Sequence, residues 1–210
     1  MSLQAPSNYR PAMNPKATER FALWVDGIGG YLVCLRDSVV LGQYAADSAV
    51  DVAFQADLSR KHAVLRRQHE TYFVDPLGLT KLNGRVIQSP TLINDGDELQ
   101  LGGVVRLRFR RPHALSATAR LEALSFHRPK PDVDAVLLMS ESLVLGPRWQ
   151  NHVVCRDWAS DLVLGRQAGE LFCRAMRPLE IDGREFDGRG KLTFTSRVSG
   201  DDFSICLEPV

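Results

Sequence analysis

The chain has 210 residues, of which 44% are hydrophobic, and this suffices for one or two small domains with apolar cores. Lysine and arginine number 26 against 25 aspartates and glutamates, so the net charge of +1 provides no basic field for nucleic acid or an anionic membrane. Neither is expected as a partner. The four cysteines are far apart and lie mostly among apolar neighbours, which predicts reduced thiols in a cytoplasmic protein rather than a zinc site.

Residues 1–20 contain three prolines and no long apolar run, so they are predicted to form a flexible arm without a signal peptide or membrane span. From residue 21 to 110, apolar and polar residues alternate in short runs separated by Gly, Asn and Asp, which is typical of an all-β fold. The predicted strands are 21–25, 31–35, 39–41, 52–54, 63–67, 71–74, 81–82, 98–101 and 104–109. Asn83-Gly84 is the strongest hairpin signal, because both residues tolerate a positive φ.

The alternation stops in residues 111–132, which include Pro112, Pro129 and Pro131 and are predicted to be a linker. Within this segment, residues 115–124 are predicted to form a short helix. The predicted organisation is therefore an arm, a first β domain, a linker and a second β domain.

In residues 133–210 the pattern starts again, which indicates an internal repeat. Residues 37–42 match residues 141–146, and an Asp-Leu pair begins fifteen residues after the final glycine of each match. Residues 82–85 are similarly matched by residues 181–184. The alternative is two unrelated β domains that share common strand and turn chemistry.

Four motifs of the first half carry a resemblance to a known family. In chain order they are Val40-Leu41-Gly42-Gln43, the Ser59-Arg60-Lys61-His62 signature within residues 57–63, Leu82-Asn83-Gly84, and the closing segment 93–102. With these motifs, residues 21–110 resemble the forkhead-associated (FHA) domain family. The resemblance implies a β-sandwich of about eleven short strands whose loops at one end bind phosphothreonine peptides. Residues 133–210 are then expected to be a second, smaller and degenerate FHA-like β domain.

The resemblance places the phosphate donors on three loops, and only the middle loop is intact. Ser59 and Arg60 are present there, whereas the arginine of the first loop is replaced by Gln43, whose neutral amide cannot match a guanidinium fork. The Thr-Asn pair of the third loop falls on Leu77 and Gly78. Hydrogen bonds to charged groups contribute about 1.5–3 kcal/mol each, so a weak site is expected.

Other residues receive roles from the same resemblance. Asn83 is a further candidate for peptide contact, and Lys61 and Lys81 are candidates for auxiliary positive charges near the vacated space. The residues expected to shape the loops and turns are Gly42, His62 and Gly84. For Ser59 and Arg60, the alternative is a loop-capping hydroxyl and a solvated surface charge.

No phosphate site is expected in the second half. With the fifteen-residue spacing, Val163 and Leu164 align with the Ser-Arg pair, and a proline follows Gly146. The run Leu164-Gly165-Arg166 resembles the first-loop motif but breaks that spacing, so we interpret it as a coincidence. Trp149 and Trp158 are candidate anchors for a protein interface, although aromatic residues of β domains are more often part of the core.

Three hypotheses about function follow. The first is a non-catalytic signalling module that recognises phosphothreonine peptides through a degenerate site. The second is a phosphate-independent FHA-like scaffold or oligomerisation protein that binds a protein partner. The third, an enzyme, has the least support, because the chain has no Gly-rich phosphate loop, spaced acid pair or nucleophile motif. No cofactor or metal is expected.

Overall fold

The computed structural model describes residues 19–46, 50–113 and 115–210, and these contain 23 β-strands and no helix. The strands of the first half are β1 (Arg20–Val25), β2 (Gly29–Cys34), β3 (Ser38–Gln43), β4 (Val52–Phe54), β5 (Ala63–Gln68), β6 (Thr71–Pro76), β7 (Thr80–Leu82), β8 (Arg85–Ile87), β9 (Thr91–Ile93), β10 (Glu98–Leu101) and β11 (Val105–Arg110). Those that follow are β12 (Ala119–Ala123), β13 (Pro129–Lys130), β14 (Ala135–Leu138), β15 (Ser142–Gly146), β16 (Val153–Val154), β17 (Leu162–Gln167), β18 (Glu170–Arg174), β19 (Leu179–Ile181), β20 (Arg184–Phe186), β21 (Arg189–Leu192), β22 (Arg197–Ser199) and β23 (Ser204–Pro209).

The strands predicted between residues 21 and 109 are all present, with ends that differ by no more than two residues. Two further strands, β8 and β9, are only three residues long, and Ile93 is their one buried side chain, so they lack a readable alternation. The predicted hairpin turn is confirmed: Leu82 pairs with Arg85, and φ is 51° at Asn83 and 78° at Gly84. Positive φ at both turn residues is what a two-residue hairpin loop requires.

The strands form three sheets. The central sheet has twelve strands in the order β20-β19-β22-β23-β1-β2-β14-β12-β11-β10-β7-β8. A six-stranded sheet (β13-β4-β3-β5-β6-β9) shares one hydrophobic core with part of the central sheet, and a five-stranded sheet (β16-β15-β17-β18-β21) shares a second core with the other part. The predicted all-β sandwich is therefore confirmed.

Strands β2 and β14 belong to both cores. On β2, Leu32 lies in the first core and Val33 in the second, and on β14 the same alternation applies to Val136 and Leu137. Successive side chains of a strand point to opposite faces, so the two smaller sheets cover opposite faces of the central sheet. The shared strands are apolar on both faces for this reason.

The two halves exchange their first strands. Strand β1 pairs with β23, the last strand of the second half, and its Phe21 and Leu23 lie in the second core. Conversely, β12 pairs with β11, the last strand of the first half, and its Leu121 lies in the first core. The strands that precede each half in sequence therefore complete the sheet of the other half.

The predicted helix at residues 115–124 is wrong, because residues 119–123 form β12. Ala119 and Leu121 are buried and Arg120 between them is half-buried, which is the two-residue period of a strand. The segment 111–132 also contains β13, which pairs with β4. Its role as a domain linker stays a prediction, although both of its strands are hydrogen-bonded into sheets.

The predicted N-terminal arm lies outside the described residues except for Glu19 and Arg20, and Arg20 begins β1. Within the described ranges, no helix long and apolar enough to cross a bilayer is present.

Strands β15–β23 repeat the pairing order of β3–β11. Leu41 pairs with Ala63 in the first half, and Leu145 pairs with Leu162 in the second, so the connecting loop is shorter in the second half. The fifteen-residue spacing is therefore wrong beyond this loop. Val163 corresponds to Val64 within β5 rather than to Ser59, and Gly165 and Arg166 lie inside β17.

Candidate peptide-binding loops

Three loops of the first half meet at one end of the six-stranded sheet. They follow β3, β4 and β6, and their described residues are 44–46 and 50–51, 55–62, and 77–79. The backbone N–H of Gln43 donates to Ser59 O at 3.1 Å, which joins the end of β3 to the middle loop. The third loop is joined to the middle loop where Leu77 N–H and Gly78 N–H donate to the carbonyl of His62, at 2.9 and 2.8 Å.

His62 is buried and fastens these loops with its side chain. The backbone N–H of Ser59 donates to Nδ1 at 3.1 Å, and with the ring proton on Nε2 this second nitrogen donates to Leu79 O at 2.9 Å, while Gly102 N lies 3.0 Å from it. Gly102 N–H donates to the same carbonyl oxygen at 2.8 Å. The imidazole is thus fully used in holding the middle and third loops together, with no ring atom left for a ligand.

Two glycines of the site are required by close packing. A Cβ atom on Gly42 would lie 2.0 Å from Arg60 O, so only glycine lets the middle loop approach β3. A Cβ atom on Gly78 would lie 2.8 Å from Cε1 and Nδ1 of His62. Gly78, which replaces the asparagine expected from the family motif, therefore has a packing reason of its own.

The polar groups that the loops present to solvent are concentrated on the middle loop. Ser59, Arg60 and Lys61 are exposed there, and they follow one another directly. Gln43 is half-buried, and its Nε2 donates to Ala56 O at 3.4 Å, so it offers at most a neutral amide to a ligand. Within the described part of these loops, the middle loop can therefore direct one hydroxyl and two cationic side chains at an anion.

Apolar side chains border this basic loop. Leu77 and Leu79 are 57% and 55% exposed on the third loop, and Tyr44 is equally exposed just after Gln43. Large apolar side chains that cluster at the surface indicate a contact site. Leu79 and Tyr44 are not recognisable from the motifs; the only sequence signal is that both directly follow a motif position.

Asn83 and Lys81 are engaged elsewhere. Asn83 Nδ2 donates to Asp97 Oδ1 at 2.7 Å, and its Oδ1 accepts from Glu98 N–H at 2.9 Å, at the end of β7 opposite to residues 77–79. Lys81 is on the outer face of the central sheet, because its neighbours Thr80 and Leu82 point inward. The structure therefore brings together Gln43, Ser59, Arg60, Lys61 and Gly78. Ligand contact by any of these residues stays a prediction.

The cysteines do not contribute to a site. Cys34, Cys155 and Cys173 are buried free thiols, and Cys206 is half-buried and also free. Burial raises the pKa of Cys34 and of Cys155 to about 12, so both stay protonated and unreactive at neutral pH. Among the described residues, no group of His, Cys, Asp or Glu side chains is arranged to hold a metal ion.

The first half is thus a β-sandwich that carries the Ser59-Arg60-Lys61-His62 motif on a loop at one end. Residues 39–102 match the family model of the FHA domain, and the chain contains an FHA domain there. The match ends at residue 102, so a second FHA-like copy in residues 133–210 stays a prediction. No match was found among curated proteins.

Solved structures with FHA domains are similar to parts of the chain. Mycobacterium tuberculosis EmbR in complex with a low-affinity phosphopeptide is 21% identical over 40% of this chain, with a TM-score of 0.31, and the match spans 23% of the EmbR chain. A structure from a study of phosphothreonine-dependent FHA domain interactions is 24% identical over 40% of this chain and 88% of its own length, with a TM-score of 0.30. The N-terminal FHA domain from EssC, a component of the bacterial Type VII secretion apparatus, is 12% identical over 88% of this chain and 90% of its own length, with a TM-score of 0.24.

Proposed function

We propose that the chain is a non-catalytic protein-interaction module of the cytoplasm whose FHA domain recognises a phosphothreonine-bearing segment of a protein partner. The observation that carries this proposal is the exposed run Ser59-Arg60-Lys61, which the buried ring of His62 holds at the junction of three loops. A phosphate dianion at this run receives charge-assisted hydrogen bonds from a hydroxyl and two cations. The family match over residues 39–102 supports the same function.

The binding is expected to be weak. Gln43 offers a neutral amide where a guanidinium would grip the phosphate, and Gly78 has no side chain to contact the peptide. Loss of two hydrogen bonds to a charged group, at about 1.5–3 kcal/mol each, lowers the affinity by roughly two to four orders of magnitude. We therefore expect phosphopeptide binding to be measurable by titration at high concentration, and too weak for the complex to be isolated in a pull-down experiment.

A second candidate function is phosphate-independent binding of a protein partner. It is favoured by Leu77, Leu79 and Tyr44, whose exposed apolar side chains border the basic loop. Such side chains gain free energy by burial against a partner whether or not it is phosphorylated.

Titration of one peptide library in phosphothreonine, phosphoserine and unmodified forms tests both candidates. The proposed function predicts a preference for phosphothreonine that is lost in the Ser59→Ala/Arg60→Ala variant and kept in Arg85→Ala, a matched change of an exposed arginine on β8. Equal affinity of wild type for phosphorylated and unmodified peptides contradicts phosphate recognition. If that equal affinity also falls in Leu77→Asp/Leu79→Asp, the second candidate is supported.

A further inference from the structure

A cavity of about 510 Å³ opens at the end of the five-stranded sheet, in the second half of the chain. We call it the second-half groove. It lies where the loop after β15, the loop before β17 and the end of β18 meet, and its lining includes Pro147, Arg148, Ala159, Val163, Arg174 and Met176.

The floor and rim of the second-half groove are apolar. Met176 is 87% exposed and Trp149, adjacent to Arg148 in sequence, is 79% exposed, so most of the surface of these two large side chains is open to solvent. Methionine adapts its shape to a partner, and tryptophan is enriched among interface residues that contribute most to binding. Trp158, the other predicted anchor, is instead buried against Phe203 with ring centroids 5.1 Å apart and belongs to the core.

The charge at one position of the groove is reversed relative to the first half. Val64 pairs with Asp75 there, and this carboxylate accepts two hydrogen bonds from Arg66, at 2.9 and 3.1 Å. In the second half the corresponding pair is Val163 and Arg174.

The equivalent of Arg66 is Gly165, so the ion pair has no counterpart in the second half. Among the residues that the structure describes, the Arg174 guanidinium has no ion pair or hydrogen bond. The first half therefore has a carboxylate at this position that is neutralised by Arg66, whereas the second half has a guanidinium that no described side chain neutralises.

Arg148 is the second available guanidinium. Its Nη1 lies 3.8 Å from Asp161 Oδ2, beyond hydrogen-bond distance, and the other oxygen of Asp161 accepts a hydrogen bond from Asn151 at 2.7 Å. Asp161 is thus fixed by its neighbour, while the exposed Arg148 is held only loosely. The groove presents two arginines against one carboxylate, above an apolar floor.

We propose that the second-half groove binds an acidic, unphosphorylated peptide segment of a protein partner. An apolar side chain of the segment packs between Val163 and Met176, and flanking carboxylates pair with Arg148 and Arg174. A carboxylate matches the fork of a single guanidinium, and the two arginines lie on different elements, which suits two separate acidic side chains. The groove is separate from the loops around Ser59 and does not depend on the function proposed for them.

Fluorescence anisotropy of the full chain with labelled synthetic peptides tests this proposal. The probe set places one leucine at varied positions among aspartates, and two matched sets replace every aspartate by lysine or the leucine by glycine. We expect binding of the acidic leucine set alone. Arg174→Glu and Met176→Asp should each weaken it about tenfold or more, as for side chains at the centre of an interface.

The first half offers matched control variants on the exposed strand β8. Arg85→Glu and Val86→Asp repeat the same changes of charge and polarity, and they should leave the affinity for the acidic set unchanged. Ser59→Ala/Arg60→Ala should also leave it unchanged, which separates this groove from the phosphothreonine site. Unaltered circular dichroism spectra and melting temperatures establish that the variants are folded.

Four results of the peptide titrations would overturn the proposal. They are no binding of any peptide, equal binding of the aspartate and lysine sets, undiminished binding by Arg174→Glu and Met176→Asp, and Arg174-dependent preference for a phosphothreonine peptide over its aspartate counterpart. Sedimentation analysis tests whether a second copy of the chain occupies the groove. Self-association that Met176→Asp abolishes would show that it does, and this would overturn the proposal of a peptide ligand.

Discussion

His152 is a fully buried histidine between the first and second halves of the chain. Its Nδ1 accepts a hydrogen bond from Val144 N–H at 2.9 Å, and its ring stacks on His113 with centroids 5.9 Å apart. Arg120, on β12, donates to its carbonyl at 2.9 Å. Burial above all, and then the electrostatic effects of His113 and Arg120, lowers the pKa of His152 from 6.5 to about 4. The folded protein therefore keeps this ring neutral.

His152 makes the stability depend on pH in a predictable direction. Because its folded pKa lies below its unfolded pKa, its contribution is fully present above about pH 6.5 and is lost as the pH falls towards about 4. Over this pH range the free energy of unfolding falls by about 3 kcal/mol because of His152. The His152→Asn variant, whose amide oxygen can replace Nδ1, should lose less stability over this range in urea titrations. His69→Asn, at an exposed histidine, is the control, and an unchanged pH dependence in His152→Asn would contradict this account.

Gln43 is the position where one substitution should strengthen phosphopeptide binding most. Gln43→Arg adds a guanidinium beside the Ser59 loop, and one further charge-assisted hydrogen bond of about 1.5–3 kcal/mol raises the affinity by about ten- to a hundredfold. Gln43→Lys, which adds a point charge without the fork, should gain less. Isothermal titration with phosphothreonine and unmodified peptides measures both. A gain in Gln43→Arg that is equal for both peptides would mean that phosphate is not the group contacted.

Gly78→Asn should not restore binding, although it restores the residue of the family motif. Its Cβ would lie 2.8 Å from the His62 ring, so the loop must shift or the histidine must move. We expect a lower midpoint of urea denaturation and no gain in phosphothreonine affinity. A stable Gly78→Asn variant that binds more tightly would show that the third loop adjusts readily.

The hairpins β7–β8 and β19–β20 have the same turn structure at corresponding positions. Asn83 and Asp182 both adopt positive φ, 51° and 52°, and each is followed by a glycine. The side-chain oxygen of Asn83 accepts from Glu98 N–H at 2.9 Å, and that of Asp182 accepts from Arg197 N–H at 2.8 Å. Each side chain therefore joins its hairpin to the neighbouring strand of the central sheet.

Asn83→Ala and Asp182→Ala should each lower the free energy of unfolding by about 1–2 kcal/mol. The substitution removes a hydrogen bond, and alanine disfavours the left-handed region. Asn83→Gly, which keeps the backbone freedom, isolates the hydrogen bond and should cost less than Asn83→Ala. Urea denaturation measures all three, and phosphopeptide affinity should not change. Reduced affinity in Asn83→Ala at full stability would instead support the predicted role of Asn83 in peptide contact.

The elements differed in how well the sequence predicts them, for physical reasons. Strands β1–β7 are readable because alternating burial leaves a two-residue period and glycine or asparagine marks the turns. Strand β12 is misread as helix because Ala, Leu, Glu and Arg favour helix locally, whereas pairing with β11 and β14 decides the outcome.

The candidate sites differ in the same way. Ser59 and His62 are three residues apart, so their motif survives in a linear sequence. The second-half groove depends on the register between β17 and β18, which brings Arg174 beside Val163. Residue spacing alone misaligned this region, because it could not reveal the shorter loop before β17.

At the scale of the molecule, the exchanged strands predict where the chain can be divided. A fragment of residues 36–140 contains β3–β14 and so keeps β12 paired with both β11 and β14. A fragment of residues 19–113 keeps β1 and β2 without their partners β23 and β14, and it leaves the edge of β11 unpaired. We expect cooperative thermal unfolding of the first fragment, and aggregation or an unfolded spectrum for the second. Circular dichroism and size-exclusion chromatography provide the measurement, and a monomeric, cooperatively folded 19–113 fragment would contradict the exchange.

Strands β2 and β14, which are packed on both faces, have a consequence for avidity. They join the two halves through continuous hydrogen bonding, without a flexible tether between the Ser59 loop and the second-half groove. When a partner carries both a phosphothreonine and an acidic segment, binding of one raises the effective concentration of the other at its site. This holds only if the spacing of the two in the partner matches the distance between the two surfaces. The chain would then bind selectively those partners in which the phosphothreonine and the acidic segment are correctly spaced, although each contact alone is weak.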